Sequence, residues 1–153
     1  MMTKNISAFM DSLEASQSAY YLIKEWNKGL DKIDLTLGTF VNAHSVPVST
    51  CLFSSKVSAF LSSYHGVLIS TTVKNAAISL KMPTRMDRYL YLWDFEWTKG
   101  KTSYNAVYEV LSNDKIKIIA RSEEHALMIE NFCNKRPIGI VDNWNLEQIE
   151  SLL

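Results

Sequence analysis

Glycine is scarce in this chain: five residues, Gly29, Gly38, Gly66, Gly100 and Gly139. They lie too far apart to build a glycine-rich loop. A GxGxxG dinucleotide fingerprint, a GxxxxGK[ST] phosphate loop and a GxSxG nucleophile elbow are therefore all excluded. Cysteine is nearly as rare, with only Cys51 and Cys133. No CxxC pair or Cys/His cluster suggests a metal, and each thiol stands in an apolar context read as helical. Two reduced core thiols are the expectation, with no metal and no cofactor. No apolar run approaches the length of a membrane span, and MMTKNISAFM has no hydrophobic leader core. A reducing, cytoplasmic location, in the producing or host cell, is the default that follows. Charge of one sign is missing too: 16 basic side chains balance 16 acidic ones. That argues against a general nucleic-acid or membrane-surface binder, which would carry net positive charge.

What is present is apolar sequence in quantity, 47% of 153 residues. That suits one α/β domain over residues 1–153 with a substantial core. The densest stretch is Arg88 to Trp97, RYLYLWDFEW. Tyr89 to Trp93 are consecutive, large and apolar, as in a central parallel strand covered on both sides. Leu90 and Leu92 should be nearly fully buried. Asp94 and Glu96 follow two residues apart. If the strand runs on, both carboxylates share one face, at the strand end where ligands collect in open α/β sheets.

Along the chain, residues 6–28 carry apolar stripes at helical spacing and predict the first helix. Asn5 or Ser7 is placed to cap it, and Gly29 to close it in a left-handed conformation. Ile33 to Val41 alternates as a strand. Phe53, Val57, Phe60 and Leu61 predict a helix over 50–64. VLIST, Val67 to Thr71, is a short strand, and Val73 to Leu80 a short helix stopped by Pro83. After the aromatic strand, 102–112 predicts a helix and Ile116 to Ala120 a strand. Ser122 caps the next helix, Pro137 to Val141 is the last strand, and Asn145 caps a terminal helix. Five strands alternate with helices, which selects a mainly parallel sheet with helices on both faces.

In such a sheet the polar strand ends converge on one edge. These are Ser70-Thr71-Thr72, Asp94-Glu96, Arg121-Ser122 with His125, and Asp142-Asn143. Thr72 and Ser122 stand before helix N-termini, whose free N–H groups suit phosphate or carboxylate oxygens. Each residue also has a plainer reading. Asp94 and Glu96 also fit solvated loop acids, and Arg121 fits a salt bridge to Glu124. His125 fits a solvent-facing histidine and Ser122 a simple cap. Trp97, just past the strand, is either core or a stacking platform for a sugar or base.

The order helix, strand, helix, strand VLIST, short helix ending near a proline, then YLYLWDFEW resembles the N-terminal Rossmann-like domain of GT-B glycosyltransferases. There, an apolar-aromatic strand ending in Asp-x-Glu follows a short apolar strand ending in Ser/Ala-Thr. IIARSEEHALMIENF is similar to that domain's late strand and helix, and VDNWNLEQI resembles the stretch where the domain ends. Short chains of this kind are similar to glycosyltransferase-like proteins of tailed phages. The resemblance covers most of residues 9–150. It implies a domain contacting a sugar or nucleotide sugar through Thr71, Thr72, Asp94, Glu96, Trp97, Arg121, Ser122 and His125. Asp94 or Glu96 would be the base for an acceptor hydroxyl, and Arg121 with the Ser122 backbone would meet phosphate. Two departures stand out. The family opens on a strand and a Gly-rich turn, whereas here only Met1 to Ile6 precede the first helical pattern. The family's second, donor-binding domain also has no counterpart, so a partner chain or a homo-oligomer would have to supply it. The alternative is a non-catalytic protein-interaction module on the same fold, marked by an exposed apolar patch around Trp97, Tyr104 or Trp144.

Overall fold

A computed structural model of the chain describes residues 2–83, 85–98 and 103–153, with Glu96 described in its backbone alone. The strands are β1 (Lys4–Met10), β2 (Leu35–Val41), β3 (Ser54–Val57), β4 (Gly66–Ser70), β5 (Met86–Tyr91), β6 (Ile116–Ala120) and β7 (Gly139–Ile140). The helices are α1 (Gln17–Lys28), α2 (Val73–Leu80), α3 (Tyr104–Leu111), α4 (Glu123–Cys133) and α5 (Leu146–Leu152). Short 3-10 segments lie at Gly29–Asp31, Ser58–Ser63 and Glu96–Thr98. The strands form one sheet of order β3-β2-β1-β4-β5-β6-β7, and every neighbouring pair is parallel. This is the α/β arrangement, helices on both faces of a parallel sheet, that the alternating pattern predicts.

Side-chain alternation along the strands sorts the core into two faces. On one face Ile6, Ala8, Leu37, Ile69 and Tyr91 pack beneath α1 and α5, meeting Leu22, Trp26 and Ile149. On the other, Leu90, Ile116 and Ile118 meet Val73 of α2, Val107 of α3 and Ile129 of α4. Phe9, Phe40, Leu61 and Leu68 close the same side over the first strands. Strand β5 lies between β4 and β6, and Leu90 and Leu92 are fully buried, as its apolar run predicts.

Three expectations are corrected. The first helix does not begin at residue 6, because Lys4–Met10 is a strand inside the sheet, between β2 and β4. Ile6, Ala8 and Met10 alternate with Ser7 and Phe9, a period-2 pattern hidden inside a stripe that also fits a helix. Ser16, not Asn5 or Ser7, caps α1, accepting from the Ala19 N–H. The expected helix over 50–64 is β3 followed by a 3-10 turn. There the Ser62 and Ser63 hydroxyls bond backbone carbonyls three residues back, the local competition that disfavours regular helix. Finally, Gly29 has φ −84°, a right-handed conformation. It is glycine for space, since a Cβ there would sit 2.2 Å from the Leu146 side chain of α5.

The C-terminal segment is locked to α1. Trp144 is fully buried, so the expectation that it belongs to an exposed patch fails. Its ring meets Trp26 and Tyr91 edge-on, and its Nε1 donates to Ser18 Oγ at 3.1 Å. An ion pair from Lys32 to Glu150 adds a second tie.

Candidate functional site

The sheet order reverses direction at β1. Connections run outward to β2 and β3 on one side, then return to β4 on the other. At such a reversal the loops leaving adjacent strands part, and a crevice opens beyond their carboxyl ends. This chain has a crevice there of about 530 Å³. From the end of β1 come Met10, Asp11 and Ser12. The first turn of α1 adds Ser16, Gln17 and Ser18, and the end of β4 adds Thr71 and Thr72. Trp93 and Asp94, beyond β5, complete the lining.

A chain of amide hydrogen bonds fixes the floor. Asn75, fully buried in the first turn of α2, donates to the Phe9 carbonyl at 3.3 Å. Its Oδ1 accepts from Asn42 Nδ2 at 2.9 Å, and Asn42 Nδ2 also meets Asp11 Oδ1 at 2.8 Å. Thr72 accepts from the Asn75 N–H as the cap of α2, and Thr71 Oγ1 donates to the Phe9 carbonyl. The Asp11 carboxylate is therefore held by Asn42 of the loop after β2, which Asn75 of α2 holds in turn. Its carbonyl also accepts from the Asn42 and Ala43 N–H groups.

Strand β5 stops at Tyr91, so Asp94 and Glu96 do not share the face of a continuing strand. The reason is visible at Trp93, whose carbonyl is taken by Arg121 Nη1 at 3.1 Å rather than by a neighbouring strand. The guanidinium lies 3.8 Å from the centre of the Trp93 ring, a cation–π contact that presses the turn into place. Asp94 is exposed at the crevice rim. The chain then turns into the short helix Glu96–Thr98, and the Glu96 side chain lies outside the described residues.

Of the sequence-predicted residues, Thr71, Thr72 and Asp94 line the crevice together. Arg121, Ser122 and His125 sit one strand further on. Ser122 caps α4, accepting from the His125 N–H at 3.2 Å. His125 packs against Phe95, and burial first, then the nearby Arg121 charge, pull its pKa below the usual histidine value. Trp97 is half-buried and stacks on Phe132 at 4.2 Å, so that ring face is already occupied. Cys51 lies in a loop rather than a helix, and Cys133 is buried at the end of α4. Both thiols are free, and burial raises the pKa of each.

Residue-type reasoning missed Asp11, Ser12, Ser16, Gln17 and Ser18, because they were absorbed into the supposed first helix. The sequence does carry a signal: ISAFM is a strand-length apolar run, followed by Asp-Ser and by a capping serine before the true helix. A strand does therefore precede the first helix, and the turn between them carries serines. Among the described residues no lysine or arginine lines the crevice. Nor do three or more His, Cys, Asp or Glu side chains gather there as they would for a metal ion. No described helix is long and apolar enough to cross a membrane. No family model, curated protein or solved structure matches the chain.

Proposed function

We propose that the chain is a glycosyltransferase-like domain whose crevice between β1 and β4 binds a sugar through its hydroxyl groups. The observation that carries this reading is the lining: two carboxylates, Asp11 and Asp94, five serine and threonine hydroxyls beside them, one aromatic wall and, among the described residues, no cation. Carboxylates accept hydrogen bonds from sugar hydroxyls, and hydroxyl side chains both donate and accept. The edge of Trp93 offers an apolar surface for a sugar ring. The same carboxylates repel a diphosphate, which favours the acceptor sugar over a nucleotide sugar at this position. Asp94, exposed at the rim, is the candidate general base that takes the proton from an acceptor hydroxyl. Asp11, held by the Asn42–Asn75 amides, orients the ring. Arg121 acts from behind Trp93 as a positioning residue rather than a phosphate ligand. A donor-binding half would come from a partner chain or a second copy. Thermal shift against a panel of sugars and sugar nucleotides tests the reading. Stabilisation by a sugar, lost in Asp94→Asn and Asp11→Asn, supports it. A ligand at about a hundred times its dissociation constant should stabilise by about 2.7 kcal/mol, so a flat response at high concentration refutes it.

A second reading, a non-catalytic interaction module, draws on one observation. Tyr104, Tyr108, Leu127 and Met128 leave apolar surface exposed on α3 and α4, with Tyr104 61% exposed. Light scattering of wild type against Tyr104→Ser decides it: concentration-dependent association lost in the variant supports the module, and a strict monomer in both removes it.

A further inference from the structure

The turn before α5 is built from residues that rarely form one. Asn143 and Trp144 both adopt left-handed backbone, with φ 45° and 62°. Asparagine tolerates that region, but a side chain as bulky as tryptophan enters it only where the surroundings over-determine it. Here they do. The Asn145 N–H donates to the Asp142 carbonyl at 2.9 Å and closes the turn. Gln148 Oε1 accepts from the Asp142 N–H at 2.7 Å, and the Tyr91 hydroxyl donates to the Val141 carbonyl at 2.6 Å. Backbone strain of this kind gathers at functional sites. The Trp144 ring packs edge-on to Trp26 and Tyr91 in the core, and its Nε1 reaches out to Ser18 Oγ, on the crevice wall, at 3.1 Å.

That contact sets the polarity of Ser18. Its oxygen accepts from the indole N–H, and among the described residues nothing accepts its own proton. A hydroxyl that accepts from a fixed donor turns its proton elsewhere and becomes a stronger donor in its turn. Ser18, half-buried on the crevice wall, is therefore set to donate to a ligand there. Thr71 is the reverse, since its proton is spent on the Phe9 carbonyl. The Asp11 and Asp94 carboxylates likewise only accept. Ser12, Ser16 and Thr72 accept from N–H groups two or three residues on, as ordinary turns and caps do, whereas Ser18 is held by a residue 126 positions away. Core packing alone does not require the bond. The Trp26 Nε1, in the same cluster, is buried with no partner.

We propose that Trp144 is a positioning residue of the crevice: its indole N–H fixes Ser18 as a hydrogen-bond donor, and Ser18 gives that bond to an oxygen of the bound sugar. This role rests on the sugar-binding reading and adds to it a residue outside the lining. The test is calorimetric titration of the methyl glycosides of glucose, galactose, mannose and N-acetylglucosamine into wild type, Ser18→Ala, Trp144→Phe and the double variant. Phenylalanine keeps an aromatic ring in the core and removes the N–H. A glycoside that binds wild type should bind Ser18→Ala about tenfold more weakly, the loss of one hydrogen bond. Trp144→Phe should weaken it by about threefold or more, as Ser18 loses its fixed orientation. The double variant should bind no more weakly than Ser18→Ala, because both residues act through one bond. Thermal melts check that each variant is folded. If Trp144→Phe is not, the wild-type Trp144 indole N–H resonance decides: it should move on saturation with the glycoside, and an unmoved resonance overturns the role. Binding that is lost in Asp94→Asn but unchanged in folded Ser18→Ala or Trp144→Phe, or losses that add in the double variant, overturns the role and leaves the sugar reading standing. A wild type that binds none of the four glycosides overturns both.

Discussion

Replacing Asn75 by alanine should destabilise the fold and loosen the crevice floor at once. The side chain is fully buried and makes two hydrogen bonds, one to the Phe9 carbonyl and one from Asn42. The Phe9 carbonyl keeps other partners, because the Thr71 N–H and hydroxyl both donate to it. Asn42 likewise keeps Asp11. No group is orphaned outright, so the cost is two ordinary hydrogen bonds plus a small cavity, about 2–3 kcal/mol in all. In a chain of this size each kcal/mol lowers Tm by roughly 2–4 °C, so a drop of roughly 5–10 °C is expected. Asn75→Asp adds a pH signature. Burial would raise the new carboxyl's pKa in the folded state above its unfolded value near 3.9. Stability of that variant should then be retained at low pH and fall as pH rises through the folded pKa. Circular dichroism melts of both variants across pH check this. An Asn75→Ala melt within about 1 °C of wild type would refute the amide chain as a structural element.

Three other outcomes follow from single features. Gly66→Ala should cost about 2 kcal/mol or more, since Gly66 has φ +141° and an added Cβ would lie 2.7 Å from the Asn5 carbonyl; urea unfolding reads it. Tyr91→Phe should cost about 1–2 kcal/mol, because the buried hydroxyl donates to the Val141 carbonyl at 2.6 Å. The same burial pushes the Tyr91 pKa up to about 12, so no tyrosinate absorbance from it should appear below that range in the folded protein. Burial and Arg121 depress the His125 pKa, so the unfolded state takes up the proton first as pH falls. Stability should therefore decline from neutral pH through the ordinary histidine range and level off below the folded pKa, and His125→Gln should flatten that decline.

Much of the fold was legible because its strands are strongly patterned. VLIST, the aromatic strand and IKIIA each sit where the apolar runs put them, and α2 spans the same residues that the pattern gives. The errors share one cause. Ile6, Ala8 and Met10 of β1, and Phe53 and Val57 around β3, fit two periods at once, and only pairing with β2 decides between them. Losing β1 hid the place where the sheet order reverses, and with it Asp11 and the serines of the α1 turn. Thr71, Thr72 and Asp94 were still visible as polar ends of recognisable strands. The turn after Tyr91 was not, because Arg121, 28 residues beyond Trp93, is what captures the carbonyl there. A long-range side-chain contact of that kind leaves no local pattern.

The most direct test of the sugar-binding account is an amide-resolved NMR titration of the wild-type chain with the sugar that gives the largest thermal shift. Crevice binding predicts saturable shifts at Asp11, Ser12, Ser18, Thr71 and Asp94, together with the Trp93 indole. Shifts confined to other surfaces, or none at saturating sugar, would contradict it.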